Sequence, residues 1–172
     1  MGVAVAVSVV KAVPAPIAPA VLRSVLAAAA AEPAVAARLG ARPLPARLTV
    51  RLTGDREMRR LNRSFLGEDA STDVLSFPSI GPGEAARSGY LGDLAVGWPA
   101  VRRQAAAFGE TEVAEAALLI VHGFLHLLGW DHATPAEEGE MWALTRRCLV
   151  LGGFSLSAGR LAGGPAPESA AP

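Results

Sequence analysis

The sequence holds a single cysteine, Cys148, and a single lysine, Lys11. One thiol cannot close an internal disulfide, so no disulfide partner is expected, and without a cysteine cluster there is no thiolate metal site. An excess of charge of one sign is also missing. Sixteen basic residues balance 16 acidic ones, so no global field draws in nucleic acid, and any polyanion site must be local. A clean spanning run is missing too. The longest apolar stretch, Val113 to Trp130, contains Glu115, His122 and His126 and lacks flanking basic anchors, which favours a buried helix over a membrane span. The opening MGVAVAVSVV has no basic residue ahead of its apolar core and meets Lys11 and Pro14 at once, which suits a strand better than a secretory signal. These absences lead us to expect a cytoplasmic protein without a membrane partner.

What is present is enough apolar residue, 51% of 172, to build one packed domain. A strand is predicted from Ala4 to Val10, an alanine-rich helix from Ala20 to Ala31, and a short helix after Pro33 as far as Leu39. Ala46 to Thr53, ARLTVRLT, alternates apolar and polar residues as a half-buried strand does. Asp55 is placed to cap a helix reaching Phe65, and Thr72 to Phe77 and Leu91 to Val96 read as further strands. Ser79 to Ser88 is Gly/Pro-rich and reads as loop. Helices follow at Ala100 to Phe108, at Glu112 to Leu128, and from a capping Thr134-Pro135-Ala136-Glu137 onward. Strands and helices mix without regular alternation. The expected class is therefore α+β: one compact domain over residues 1–154, about four strands in a small mixed sheet packed with several helices. Residues 155–172, ending GGPAPESAAP, read as a low-complexity, disordered tail.

The three histidines of the chain all fall within His122-Gly123-Phe124-Leu125-His126-Leu127-Leu128-Gly129-Trp130-Asp131-His132. Residues four apart on a helix share a face with Cβ atoms about 6 Å apart, so His122 and His126 can grip one ion. Gly129 lets the chain leave the helix through a left-handed turn and return His132 to the same point. Asp131 is placed to orient an imidazole through its second ring nitrogen. Three imidazoles suit zinc, one ion per chain. With three protein ligands on a four-coordinate ion, the remaining position takes a water, which marks a catalytic more than a structural site. Zinc lowers the pKa of that water to about 7, and neutral ligands leave the ion its full double charge for an anionic transition state. A phosphodiester fits as substrate.

The same histidine spacing around the same glycine occurs in H-E-x-x-H-x-x-G-x-x-H metalloproteases, where the Glu is the general base. Here that position is Gly123. A peptidase or amidase reading therefore keeps its cage and loses its proton acceptor. A local polyanion site is offered by Arg56, Arg59, Arg60 and Arg63, which fall within one arc of the predicted helix opposite Met58, Leu61 and Phe65, and could track an RNA backbone. A Ser-His-Asp triad from Ser76 and Asp73 is disfavoured, because Ser76 lies in a strand without a nucleophile-elbow pattern and the histidines serve better as ligands. Asp93 is given no catalytic role.

HGFLHLLGWDH, together with LNRSFLGEDASTDVLSFP from Leu61 to Pro78 and LGDLAV from Leu91 to Val96, resembles the YbeY family of rRNA maturation factors over roughly Val50 to Val150. The resemblance implies a compact α+β fold with zinc on His122, His126 and His132. It implies a single-strand-specific, metal-dependent endoribonuclease acting in ribosome maturation and quality control, with the 3′ end of small-subunit rRNA as a target and the ribosome or small subunit as partner. One departure stands out. The family pattern carries an arginine, thought to assist catalysis, after the aromatic residue of its LN-x-x-(Y/F) segment. Here Leu66 follows Phe65, and Glu68 sits where a basic residue is common. Arg63 or another arginine of the stripe would have to substitute. The other reading is an assembly factor with mainly structural zinc and weak nuclease activity.

Overall fold

The computed structural model describes residues 3–42, 44–79 and 89–162. Its chain runs β1 (Val5–Lys11), α1 (Pro19–Ala31), α2 (Pro33–Leu39), β2 (Ala46–Thr53), α3 (Asp55–Leu66), β3 (Val74–Pro78), β4 (Tyr90–Gly97), α4 (Trp98–Phe108), α5 (Glu112–Leu127), α6 (Pro135–Leu151) and the one-turn α7 (Ala158–Leu161). The fold is α+β with a four-stranded mixed sheet, as the mixture of elements implied. Strand order is β1-β2-β4-β3; β2 pairs in parallel with both β1 and β4, and only β3 runs antiparallel, against β4. Among the described residues no single helix is long and apolar enough to cross a membrane.

The period-two pattern of β2 has its expected outcome: Ala46, Leu48, Val50 and Leu52 are buried while Arg47 is exposed. Helix α5 is apolar on nearly every side, which is the signature of a helix enclosed by its own protein. Thr111 caps it by accepting the Ala114 N–H at 3.1 Å. It packs against β3 and β4 on one side and α1, α4 and α6 on others, burying Leu118, Ile120, Val121, Phe124 and Leu125. Each such side chain contributes about 1.5–3 kcal/mol. The helix that carries two of the histidines is thus held on several sides by its neighbours.

Three expectations need correction. Asp55 does not cap α3. Gly54 holds the cap position, and Asp55 is the first helical residue, its carboxylate accepting from Arg103 at 3.1 Å and Ser71 at 3.0 Å. A carboxylate in the first turn still meets the positive end of the helix, so the residue type is explained at either position. Helix α4 starts at Trp98, two residues ahead of the predicted Ala100, with Pro99 in its first turn. The third concerns the tail. The packed chain does not end at residue 154: Leu156 is buried and Arg160 is only 4% exposed. The Ser157 N–H donates to Glu110 Oε1 at 2.6 Å, and Ser157 Oγ caps α7. Small, polar composition hid one buried leucine and one buried arginine. The predicted loop at Ser79 to Ser88 lies, beyond Ser79, outside the described residues, as does the tail from residue 163.

Candidate metal centre and its cleft

The end of α5 shows how the sequence returns the third histidine. Leu128 N–H donates to Phe124 O and Leu125 O, Gly129 N–H to His126 O, and Trp130 N–H back to Leu125 O at 3.1 Å. Gly129 takes φ +93, a region that a side chain would strain, and that residue turns the chain. Arg38 of α2 holds the turn from outside. Its guanidinium lies 3.6 Å from the centre of the Trp130 ring and donates to Leu128 O at 3.4 Å.

The three rings meet. His122 and His126 have centroids 4.9 Å apart, His126 and His132 5.0 Å, and His122 and His132 6.0 Å. One ring nitrogen from each lies within 4.8 Å of the others. Ligands on one tetrahedral zinc at about 2.0–2.1 Å stand about 3.4 Å apart, so small ring rotations bring the set onto a common ion. The group could hold a metal ion. The donors have the right charge state as well. Burial, followed by the neighbouring His126, His132 and Arg160, pushes His122 down to about 3, and burial likewise lowers His126. Both are neutral at physiological pH, the form in which imidazole binds metal. His132 is exposed, so the centre is open on that side.

Asp131 contacts the backbone of the third histidine. Its Oδ1 accepts the backbone N–H of His132 at 2.8 Å and so shapes the turn. Burial and the neighbouring His132 lower the proton affinity of His126, and the Trp130 backbone and the Asp131 carboxylate beside it oppose part of that lowering.

The histidines open into a cleft of about 1070 Å³, with β3 along one wall and Phe65 and Leu66, the last residues of α3, at its edge. Phe65 and Leu66 are 63% and 65% exposed, and the Phe65 ring leans on Phe77 at 4.4 Å. Arg56, Arg59, Arg60 and Arg63, on the same helix, are all exposed and none lines the cleft. Arg59 forms a two-pronged pair with Asp69 at 2.8 and 2.9 Å, and Arg60 reaches Glu57 at 3.2 Å. The helix therefore sends its apolar end to the histidines and its guanidinium stripe elsewhere.

Gly123 faces the sheet. A Cβ there would lie 3.0 Å from Leu94 Cδ2, 3.1 Å from Val74 Cγ2 and 3.2 Å from Ser76 Oγ. The position where a metalloprotease carries its general base is here the contact between α5 and β3, with no room for a carboxylate. Ser76 Oγ donates to Gly123 O at 3.1 Å, and Asp73 accepts from Gln104 and from the Val74 N–H, so neither joins a histidine in a triad. Asp93 accepts from the Tyr90 hydroxyl at 2.9 Å, away from the cleft lining.

Two contributors escaped sequence reasoning. Trp142 of α6 stacks on His122 at 4.9 Å, and Arg160, from the supposed tail, lines the cleft while paired to Glu115. The available signal was Glu115 itself, since a carboxylate in an apolar helix demands a cation. Nothing in the sequence says which arginine supplies it.

A compact α+β domain with a three-imidazole centre at the floor of an open cleft defines a candidate metallohydrolase class. Comparison with known proteins narrows it. The family model described as Endoribonuclease YbeY matches residues 16–151. The chain is 42% identical over 120 residues to the endoribonuclease YbeY of Roseiflexus castenholzii, covering 66% of this chain and 73% of that one. It is 45% identical over 124 residues to that of Chloroflexus aggregans, covering 67% and 81%. With the Gloeobacter violaceus protein identity is 47% over 113 residues, covering 63% of this chain but only 57% of that longer relative. The solution structure of TM1509 from Thermotoga maritima shares the fold, with a TM-score of 0.57 at 24% identity over 86% of this chain and 89% of that one. The chain belongs to the Endoribonuclease YbeY family.

Proposed function

We propose that this protein is a zinc-dependent endoribonuclease that hydrolyses phosphodiester bonds of single-stranded RNA during ribosome maturation, including the 3′ end of small-subunit rRNA, in the cytoplasm and in contact with the ribosome or its small subunit. The observation that carries the reading is the convergence of His122, His126 and His132 at the floor of an open cleft. The three would hold one Zn²⁺. Bound there, the ion supplies Lewis acidity toward phosphate and water.

The chain's own residues support that chemistry in identifiable ways. Burial keeps His122 and His126 neutral, and an imidazole ligand brings no negative charge to offset the ion's attraction for an anionic transition state. Trp142 stacks on the His122 ring and holds it from one side. Asp131 assists indirectly, by bending the turn that presents His132. Of the arginine stripe, Arg59 and Arg60 are engaged with acids and Arg56 and Arg63 stand exposed; these would hold flanking RNA outside the cleft.

The experiment is metal analysis of purified protein paired with cleavage of an unstructured oligoribonucleotide, for wild type and His126→Ala. The variant should lose metal and cleavage together. Wild-type cleavage by metal-free His126→Ala would defeat the proposal. Leu66, uncharged at the edge of the cleft, favours a second reading in which the zinc is mainly structural and the protein serves as an assembly factor with weak nuclease activity. Robust RNA hydrolysis by the wild type would dismiss it.

A further inference from the structure

Beyond residue 151, where the family match ends, the chain returns to the cleft and contributes Arg160. Glu115 is 0% exposed and Arg160 4%. Arg160 Nε lies 2.9 Å from Glu115 Oε2 and 3.1 Å from Oε1, and Nη2 lies 2.7 Å from Oε1. Two of the three guanidinium nitrogens are thus committed. The third, Nη1, donates to no group among the described residues, and it is not among the sealed polar atoms without a partner, which are Arg42 Nη1, Asn62 Oδ1, Gln104 Oε1 and His122 Nδ1. It reaches open space, and the open space that Arg160 lines is the cleft of the three histidines.

The surroundings say what such a group is for. Apart from the histidines, the charged side chains among the described lining residues are Asp73, Asp131, Glu138 and Arg160, so Arg160 is the guanidinium among them. It stands 4.8 Å from the Phe108 ring and 5.9 Å from that of Trp142, the same indole that stacks on His122. A guanidinium held on two nitrogens by a buried carboxylate has lost its rotational freedom in advance. Its free edge then offers two N–H donors at a fixed place on the lining of the cleft that holds the three histidines. Fixed donors in such a site act on charge that develops on phosphoryl oxygens.

We propose that Arg160 is a phosphate-binding residue of the cleft, clamped by Glu115 and presenting its Nη1 edge to a non-bridging oxygen of the RNA phosphodiester. This rests on the RNA-cleavage reading above. The competing role is a latch that only docks the C-terminal segment, and the two separate in experiment.

Two variants keep the buried site compatible with folding. Arg160→Lys leaves a cation opposite Glu115 but removes the second donor edge. The double variant Glu115→Met/Arg160→Met replaces the pair by apolar side chains, an exchange that buried pairs often tolerate. Metal content, thermal midpoint, kcat and KM on a single-stranded oligoribonucleotide, and inhibition by inorganic phosphate are measured for each. Both folded variants should retain metal, lose about 10- to 100-fold in kcat/KM, and be inhibited by phosphate several-fold more weakly than wild type. A folded, metal-replete variant with wild-type kcat/KM and wild-type phosphate inhibition overturns the assignment and leaves RNA cleavage by the wild type standing. Phosphate titration of metal-loaded wild type, followed by the Arg160 Nε–H resonance, tests the same contact without any variant. A phosphate-dependent shift supports it and an unmoved resonance overturns it, even if RNA cleavage itself is absent.

Discussion

The indole of Trp142 lies 4.9 Å from the imidazole of His122, with the planes 27° apart. It is the wall against which the first histidine is set. Removing it frees the ring to leave the position in which it faces His126 and His132. Trp142→Ala should weaken Zn²⁺ binding about 10-fold, measured by chelator competition, while Trp142→Phe keeps most of the affinity. Equal affinities for all three proteins would show that the stack does not position the ligand.

Acid should destabilise the metal-free protein earlier than its carboxylates alone predict. The His122 pKa is about 3 in the folded protein against 6.5 unfolded, so the unfolded chain binds the proton first. Stability is then full above about pH 6.5 and is lost progressively as pH falls toward 3. Between pH 7 and 5 this amounts to about 1–2 kcal/mol. The carboxylates of Asp55 and Glu57 are held below their ordinary values by hydrogen bonds from Arg103 and Thr53, and they act only at lower pH. Urea denaturation at pH 7, 6 and 5 checks the loss, and a flat profile over that range contradicts it.

Gly123→Ala puts a methyl group 3.0 to 3.2 Å from Leu94, Val74 and Ser76. Overpacking of this kind costs about 1–3 kcal/mol, against about 1 kcal/mol gained in helix propensity. A lower thermal midpoint is expected, with Gly123→Glu failing to fold rather than gaining peptidase activity. A stable, soluble Gly123→Glu protein would mean that α5 can move away from β3.

Truncation after Gly153 removes Arg160 and leaves the Glu115 carboxylate buried without its cation, a loss of about 3–5 kcal/mol. Glu115→Leu in the truncated chain should recover part of that loss. Chemical denaturation of the three chains decides it, and identical stabilities would show that the pair contributes nothing.

Leu66→Arg places a guanidinium at the edge of the cleft on a residue that is already 65% exposed, so the fold should be unaffected. An increase of about 10-fold in kcat/KM on single-stranded RNA is expected from a charge-assisted phosphate contact. Unchanged kinetics would show that the position no longer reaches substrate in this chain.

How much of this was legible in the sequence follows from how far apart the interacting residues are. The histidine cluster was, because helix periodicity and one turn glycine decide its geometry within eleven residues. The alternation of β2 and the capping box of Thr134 with Glu137 were legible for the same reason. The direction of the arginine stripe was not. Periodicity says that Arg56, Arg59, Arg60 and Arg63 share a face, but only tertiary packing says that the face points away from the cleft. Nor was the Glu115–Arg160 pair, which joins residues 45 apart in the chain through a segment whose composition reads as tail.

The Arg38–Trp130 stack ties a helix from the first forty residues to the bend that delivers His132. From the opposite end of the polypeptide, Arg160 grips the helix that carries His122. One brace holds the bend at Leu128 and Trp130 and the other holds the same helix at Glu115, ahead of His122, and neither arginine lies in the stretch where the motifs are concentrated. A graft of the motif-bearing middle alone into another scaffold would carry every histidine and arrive with the framework that aligns them left behind.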